Sequence, residues 1–370
     1  MKPAPLLLAV GVAALMLAAY AAPFAVGVSG WGVIGPAGLA VTALALVAAL
    51  YGRAAGASAL AVLGLIGAFL AVAALAPLGA PGAWGYWALL WGHLFMSVLA
   101  VGRIGLSERA DGRGKHLHAL LPPAAVPFLG LLVWEGLVVG HRVPRAIFPR
   151  VTDVWQAILS SWPVLLNDAY VTFVKQVLVG FSLGLVAGVL VGVAVAASPF
   201  LRQGLLPLAA AFGAVPIVGL APVLGRAFGV DWESKAAVVV IITFFPVVLN
   251  TVQGLTQVDP LKLELLRAYA AGPREVFLKL RLPSALPYLF NALKLAAVLS
   301  VISVIVAEFL IPGPPTGLGQ RISLSARRGA YDVVFAAIFF ASVVSVLFYS
   351  LVMTLERRLT SWHASFREGG

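Results

Sequence analysis

The chain has 370 residues, 61% of them hydrophobic and 11% charged, with a mean hydropathy of +1.02 and a formal net charge of +11. An ordinary soluble domain is about 45–50% apolar and about 25% charged, so this composition excludes one. Its 25 basic residues are scattered among short loops and helix ends, which excludes a basic nucleic-acid-binding domain, and the absence of cysteine excludes disulfides, thiol chemistry and sulfur-ligated metal.

Apolar runs of about 20 residues recur down the chain without the alternating ten-residue segments of a barrel, so the expected fold is an all-α polytopic membrane protein. Lys2 precedes an apolar run over 5–28, longer than a signal-peptide core and followed by no polar mature domain, which reads as a retained span. Further spans are expected near 39–50, 57–78 and 84–102. Trp84, Trp87 and Trp91 recur at helical spacing in the last of these and read as interface anchors. Residues 103–118, RIGLSERADGRGKHLH, read as a basic cytoplasmic linker; His116 and His118 alone make no metal site. The linker divides an N-terminal four-helix extension, 1–102, from a core over 119–358.

Six spans are expected in that core: 119–140, 169–197, 204–225, 235–254, 285–311 and 331–355. Ten spans from a cytoplasmic amino terminus return the tail, with Arg357 and Arg358, to the cytoplasm; Arg142, Arg145, Arg150, Arg321, Arg327 and Arg328 then lie outside, against the positive-inside trend. Between the first two core spans, prolines and a capping candidate at Thr152 or Asp153 predict a separate amphipathic helix at the outer interface. Gly180, Gly184, Gly188 and Gly192 then form a stripe that lets another helix approach closely. Pro216, Gly219 and Pro222 fall in one span and predict a broken helix, serving either the pathway or packing. Thr243 and Asn250 are pathway candidates for their polarity. Glu308, deep in an apolar helix, is either a pathway residue or the partner of a salt bridge or helix end. Lys294 is placed to snorkel.

Residues 258–283, VDPLKLELLRAYAAGPREVFLKLRLP, are the one long polar interruption of this half. Five basic residues (Lys262, Arg267, Arg274, Lys279, Arg281) against three acidic ones (Asp259, Glu264, Glu275) leave it at +2. Asp259-Pro260 opens a helix with Leu261, Leu265, Leu266 and Tyr269 on one face. Gly272-Pro273 stops it, and a second short helix is expected to end at Leu282-Pro283. The first helix, roughly 16 Å long, cannot span a bilayer, and its charge places the loop in the cytoplasm.

This stretch resembles the cytoplasmic EAA loop of the permease subunits of bacterial ATP-binding-cassette (ABC) importers: Glu-Ala-Ala, three residues, Gly, nine residues, Ile, one residue, Leu-Pro. Glu264, Leu280, Leu282 and Pro283 occupy the Glu, Ile, Leu and Pro positions. Leu265 and Leu266 replace the alanines, and Ala270 stands at the glycine position, with Gly272 two residues on.

The resemblance, to the nitrate, sulfonate and taurine type, implies that Glu264, Arg267, Ala270, Gly272, Arg274, Leu280, Leu282 and Pro283 couple to an ATPase. It also implies a cytoplasmic ABC ATPase dimer, an extracytoplasmic solute-binding protein and a bacterial inner-membrane location. The chain has no phosphate-binding loop of the G-x-x-x-x-G-K-[ST] type, so no cofactor is expected on it, and ATP and Mg belong to the partner. One coupling loop per chain implies a second permease chain, in a homodimer or a heterodimer with a similar permease, the homodimer favoured by economy, with the glycine stripe and the Pro216–Pro222 segment near its axis. The run over 282–309 is similar to the branch associated with pyrimidine precursors of thiamine and with riboflavin. An ion-coupled secondary transporter is the alternative; it calls for paired intramembrane ionisable residues and an internal repeat, where the sequence offers one carboxylate and no evident repeat. A membrane enzyme lacks any clustered site.

Overall fold

The computed structural model describes residues 11–12, 14–28, 34–50, 54–106, 115–213 and 215–360, which are helical almost throughout. Among them, seven helices are long and apolar enough to cross a bilayer, or eight if one bent pair counts as a single span. The chain divides into two compact units, Met1–Gln156 and Ala157–Gly370.

The first unit holds α1 (Ile34–Leu50), α2 (Ala54–Leu75), α3 (Trp84–Leu106) and α4 (Lys115–Gly140). The expected first span, 5–28, lies in part outside the described residues, as do 107–114 of the linker; residues 14–19 are helical. At 17 residues, α1 is about 26 Å long and falls short of a bilayer core. Leu60, Leu75, Tyr86, Leu90 and Leu94 form a core with Leu129, Leu132 and Val139 of α4. Thus α4, grouped on sequence with the later spans, packs against α2 and α3. Small residues admit polar ones here: a Cβ on Gly67 would stand 2.0 Å from the His93 ring and one on Gly64 2.2 Å from Ser97 Oγ. His93 is buried, with Nδ1 2.9 Å from the Leu89 carbonyl and Nε2 3.3 Å from the Thr42 hydroxyl.

Helix α5 (Val151–Tyr170) continues through a π-helical segment (Val171–Leu178) into α6 (Val179–Ala197), a run of 47 residues. The separate interfacial helix expected before residue 169 is therefore the first half of a longer one, because nothing in the segment stops it; Pro163 is accommodated inside. Neither Thr152 nor Asp153 is the cap itself. Glu135 of α4 accepts from the Thr152 hydroxyl at 2.8 Å, and Asp153 reaches back to the Arg150 amide at 3.3 Å.

Next come α7 (Pro199–Gly213), α8 (Ile217–Phe228), α9 (Trp232–Thr256), α10 (Pro260–Ala268) and α11 (Pro273–Val276). A second π segment (Phe277–Arg281), α12 (Leu282–Leu310), α13 (Leu318–Arg327) and α14 (Tyr331–Leu359) complete the unit. Helix α9 is central, flanked by α6 and α12. Val239, Val247, Ala296, Ala297, Val301, Val304, Phe348 and Val352 make the core. The glycine stripe lies against α9. A Cβ on Gly180 would meet the Ala236 carbonyl at 2.4 Å, one on Gly184 the Val240 carbonyl at 2.7 Å, one on Gly188 Val247 at 2.8 Å and one on Gly192 Thr251 at 2.7 Å. Residues at i, i+4 on α6 thus face residues at i, i+4 on α9, the ridge packing that small residues permit between membrane helices. This corrects one expectation: the stripe is filled within the chain and is not open for contact near a dimer axis.

Candidate coupling loop and pathway residues

The two-helix loop forms as its sequence dictates at the first helix. Asp259 caps α10 by accepting from the Leu261 amide at 3.0 Å, and Pro260 takes the first helical position, where no amide is needed. The stop is a Schellman turn: the Ala270 amide donates to the Arg267 carbonyl at 2.9 Å and the Ala271 amide to the Leu266 carbonyl at 3.0 Å. Ala270 supplies the left-handed residue itself, with φ 54°, whereas Gly272 is extended with φ −69° and ψ 164° as the cap of α11. The position where the EAA pattern has glycine therefore keeps glycine's conformation with an alanine in it. The second helix departs from expectation. Leu282-Pro283 does not end it, and residues 273–310 are helical without interruption. A π turn, in which the Leu282 amide donates to the Phe277 carbonyl, widens the helix just before Pro283 and eases the proline ring past the preceding turn.

No residue of α10 is buried. Leu261 is 74% exposed and Tyr269 78%, with Leu265 exposed between them, so an apolar stripe at i, i+4, i+8 has no partner among the described residues. Glu264, Arg267 and Arg274 are exposed, Leu280 is buried, Leu282 is exposed and Pro283 is half-buried. An open cleft of about 390 Å³ in the elbow is lined by Leu263, Arg267, Val276, Phe277 and Arg281. Lys279 pairs with Glu275 at 2.9 Å.

The pathway candidates fall in three places. Helices α7 and α8 form a pair bent by more than 40°, with Pro216 as the extended cap at the break and Pro222 inside α8. Thr243 is buried between helices, 3.3 Å from Ser300 Oγ, and the Asn250 amide donates to the Pro246 carbonyl at 2.9 Å. Glu308, 1% exposed, accepts from the Thr172 hydroxyl at 3.0 Å and from the Gly319 amide at 2.6 Å, while Thr172 Oγ1 also accepts from the Leu318 amide at 2.8 Å. The carboxylate therefore sits on the amino end of α13, where backbone amides and the helix dipole favour negative charge. Gly317 makes room: its Cβ would stand 1.8 Å from Glu308 Oε1.

Sequence reading missed the rest of this cluster. Asp168, 1% exposed, accepts from Arg321 Nε at 2.6 Å, so α13 is tied to α5 by an ion pair and to α12 by Glu308. Gln176 is fully buried, and its side-chain amide has no partner among the described residues. Asp168, Thr172 and Gln176 continue the i, i+4 series of the glycines toward the amino end, the one signal that pointed to them. Lys294, expected to snorkel, pairs with Glu356 at 2.9 Å. Among the described residues no three His, Asp or Glu side chains converge as metal ligands.

The family model for the binding-protein-dependent transport system inner membrane component matches residues 184–361. The chain is 33% identical over 184 residues to the formylaminopyrimidine transport permease protein ThiX of Halalkalibacterium halodurans, covering 50% of this chain and 73% of that protein. It is 30% identical over 241 residues to the riboflavin transport system permease protein RibX of Chloroflexus aurantiacus, with 64% and 87% covered. It is also 30% identical over 266 residues to the putative aliphatic sulfonates transport permease protein SsuC of Bacillus subtilis, with 70% and 93% covered. With its apolar spanning helices, the chain belongs to the family of binding-protein-dependent ABC importer permeases, multi-pass subunits of the inner membrane.

Proposed function

We propose that this chain forms the translocation pathway for a small solute and is driven by a cytoplasmic ATPase dimer that docks on residues 258–283. The observation that carries this reading is the unpartnered stripe Leu261, Leu265 and Tyr269 on a capped helix beside a basic elbow cleft. Glu264, Arg267, Ala270, Gly272 and Arg274 shape that surface, and Leu280, Leu282 and Pro283 join it to the spanning helix. ATP and Mg are bound by the ATPase, and an extracytoplasmic binding protein delivers the solute.

A motor that closes two ATPase subunits needs two coupling loops, so a second permease copy completes the assembly. The α7–α8 break, with Pro216 and Pro222, lines the pathway, and Thr243, Asn250 and Glu308 belong to the helices around it. The solute is a planar pyrimidine or flavin-like compound, because two of the relatives carry such substrates in their names. The cytoplasmic linker joins α3 to α4, with 103–106 and 115–118 of the expected stretch belonging to those two helices. An ion-coupled transporter is disfavoured because Glu308 is engaged by Thr172 and Gly319, and the buried Lys235 by the Val230 carbonyl.

The test is assembly. Leu265→Asp puts a charge in the middle of the stripe without touching a buried residue, and the variant is expected to insert normally but to lose its co-expressed ATPase subunit on affinity purification. Retention of that subunit at the unsubstituted level sinks the docking surface.

A further inference from the structure

We infer that Phe212, stacked on Phe245 beside the α7–α8 break, is a stacking platform for a planar heteroaromatic solute at mid-depth in the membrane. This rests on the reading of that break as pathway and deepens it by assigning a binding surface and a ligand class.

Depth follows from packing. Helix α9 has 25 residues, and Phe244 is its midpoint. Leu201 and Leu206 of α7 pack with Val248 and Val252, whereas Ile217, Ala221 and Leu224 of α8 pack with Val238 and Ile242. The two halves of the broken pair thus divide α9 between them, and the break faces its middle.

The rings of Phe212 and Phe245 lie nearly parallel, 7° apart in plane with centroids at 5.0 Å, and Phe244 meets Phe245 edge-on at 79° and 5.0 Å. Phe245 is therefore held by rings on two sides, while Phe212 is 49% exposed and caps the stack. One more flat ring extends such a stack, and base–aromatic stacking is tolerant of ring identity because every heterocycle has a π face.

The polar surroundings select among flat solutes. A helix that stops in mid-bilayer leaves the carbonyls of its last turn without helical donors. Pro246 likewise brings no amide to the Ile242 carbonyl. The Phe212 carbonyl is met by the Val215 amide at 3.1 Å, while the first turn of α8, which has no side-chain cap, brings backbone amides to the same break, so carbonyl acceptors and amide donors stand there together. A pyrimidine or flavin carries N–H groups for the carbonyls and ring nitrogens or carbonyls for the amides, whereas nitrate or a sulfonate answers the amides alone.

The test uses the intact complex of permease, ATPase and binding protein in proteoliposomes, with riboflavin, formylaminopyrimidine and taurine as probes and uptake measured per ATP hydrolysed. We expect the unsubstituted complex to accumulate at least one aromatic probe. Phe212→Leu should cut that uptake about tenfold, and Phe212→Tyr should recover most of it. Undiminished uptake by Phe212→Leu overturns the platform and leaves the pathway reading standing. Accumulation of taurine with neither aromatic probe overturns the platform and the proposed substrate class together. Phe212→Met, which keeps a flexible apolar side chain at the packing site, replaces a Leu variant that does not assemble, with the same outcomes.

Discussion

Ala270 carries a cost that its neighbours do not. A left-handed residue with a Cβ is strained by roughly 1 kcal/mol relative to glycine, and here the Schellman turn imposes φ 54° on an alanine. Ala270→Gly is therefore expected to stiffen the stop of α10, and a rise of a degree or more in the melting temperature of the detergent-solubilised chain is the measurement that checks it. Glu308 makes the opposite case. Glu308→Leu leaves the Gly319 amide and the Thr172 hydroxyl buried without their acceptor, at about 1–3 kcal/mol for each group. Gly317→Ala forces a methyl into the same carboxylate. Both should lower thermal stability by several degrees, and a melt unchanged by either substitution would show that the cluster at the amino end of α13 is not holding the helix.

At the scale of elements, the α6–α9 interface sets the tightest tolerance. Each stripe glycine faces a carbonyl or branched side chain closer than a Cβ allows, so Gly184→Leu should prevent α6 from seating on α9 and sharply reduce the yield of folded chain, whereas Leu183→Ala on the exposed face should not. The stripe was legible in the sequence because small residues at i, i+4 leave a groove whatever fills it; which helix fills it was not, since the partner is set by tertiary packing. Helix stops divide the same way. Asp259-Pro260 and Pro216 act through local backbone chemistry and could be read directly, whereas the stop of α10, expected at Gly272-Pro273, is made two residues earlier by the left-handed Ala270, a conformation that alanine does not announce. Leu282-Pro283 misled because proline is tolerated where a helix widens into a π turn, and nothing local announces that widening. The pair Asp168–Arg321 joins residues 153 apart in the chain, a distance over which periodicity carries no information.

For the whole molecule, the packing of α4 changes what a truncation does. Removing residues 1–102 strips Leu129, Leu132 and Val139 of the helices they pack on. The truncated chain is therefore expected to accumulate less and melt earlier than the full one, which membrane-fraction yield and thermal stability would report; equal yield and stability would make the first unit dispensable to α4. Stoichiometry is tested separately. Native mass spectrometry of the intact complex is expected to show two permease chains for two ATPase subunits, and one permease bound to two ATPase subunits would refute the argument from paired coupling loops.

The uninterrupted helix from Pro273 to Leu310 makes the elbow of the loop and the Glu308 carboxylate two ends of one rod, about 52 Å apart at the rise of an α-helix. Pivoted at its loop end by about 5°, such a rod sweeps its far end through roughly 4–5 Å. That displacement exceeds the reach of a hydrogen bond. The carboxylate must then either let go of the Gly319 amide or drag α13 along, and α13 is itself moored to Asp168 through Arg321. A small angular stroke delivered at the loop would thus arrive at the far end of the helix as an all-or-none event, the release or retention of one short helix, with no relay of side chains in between.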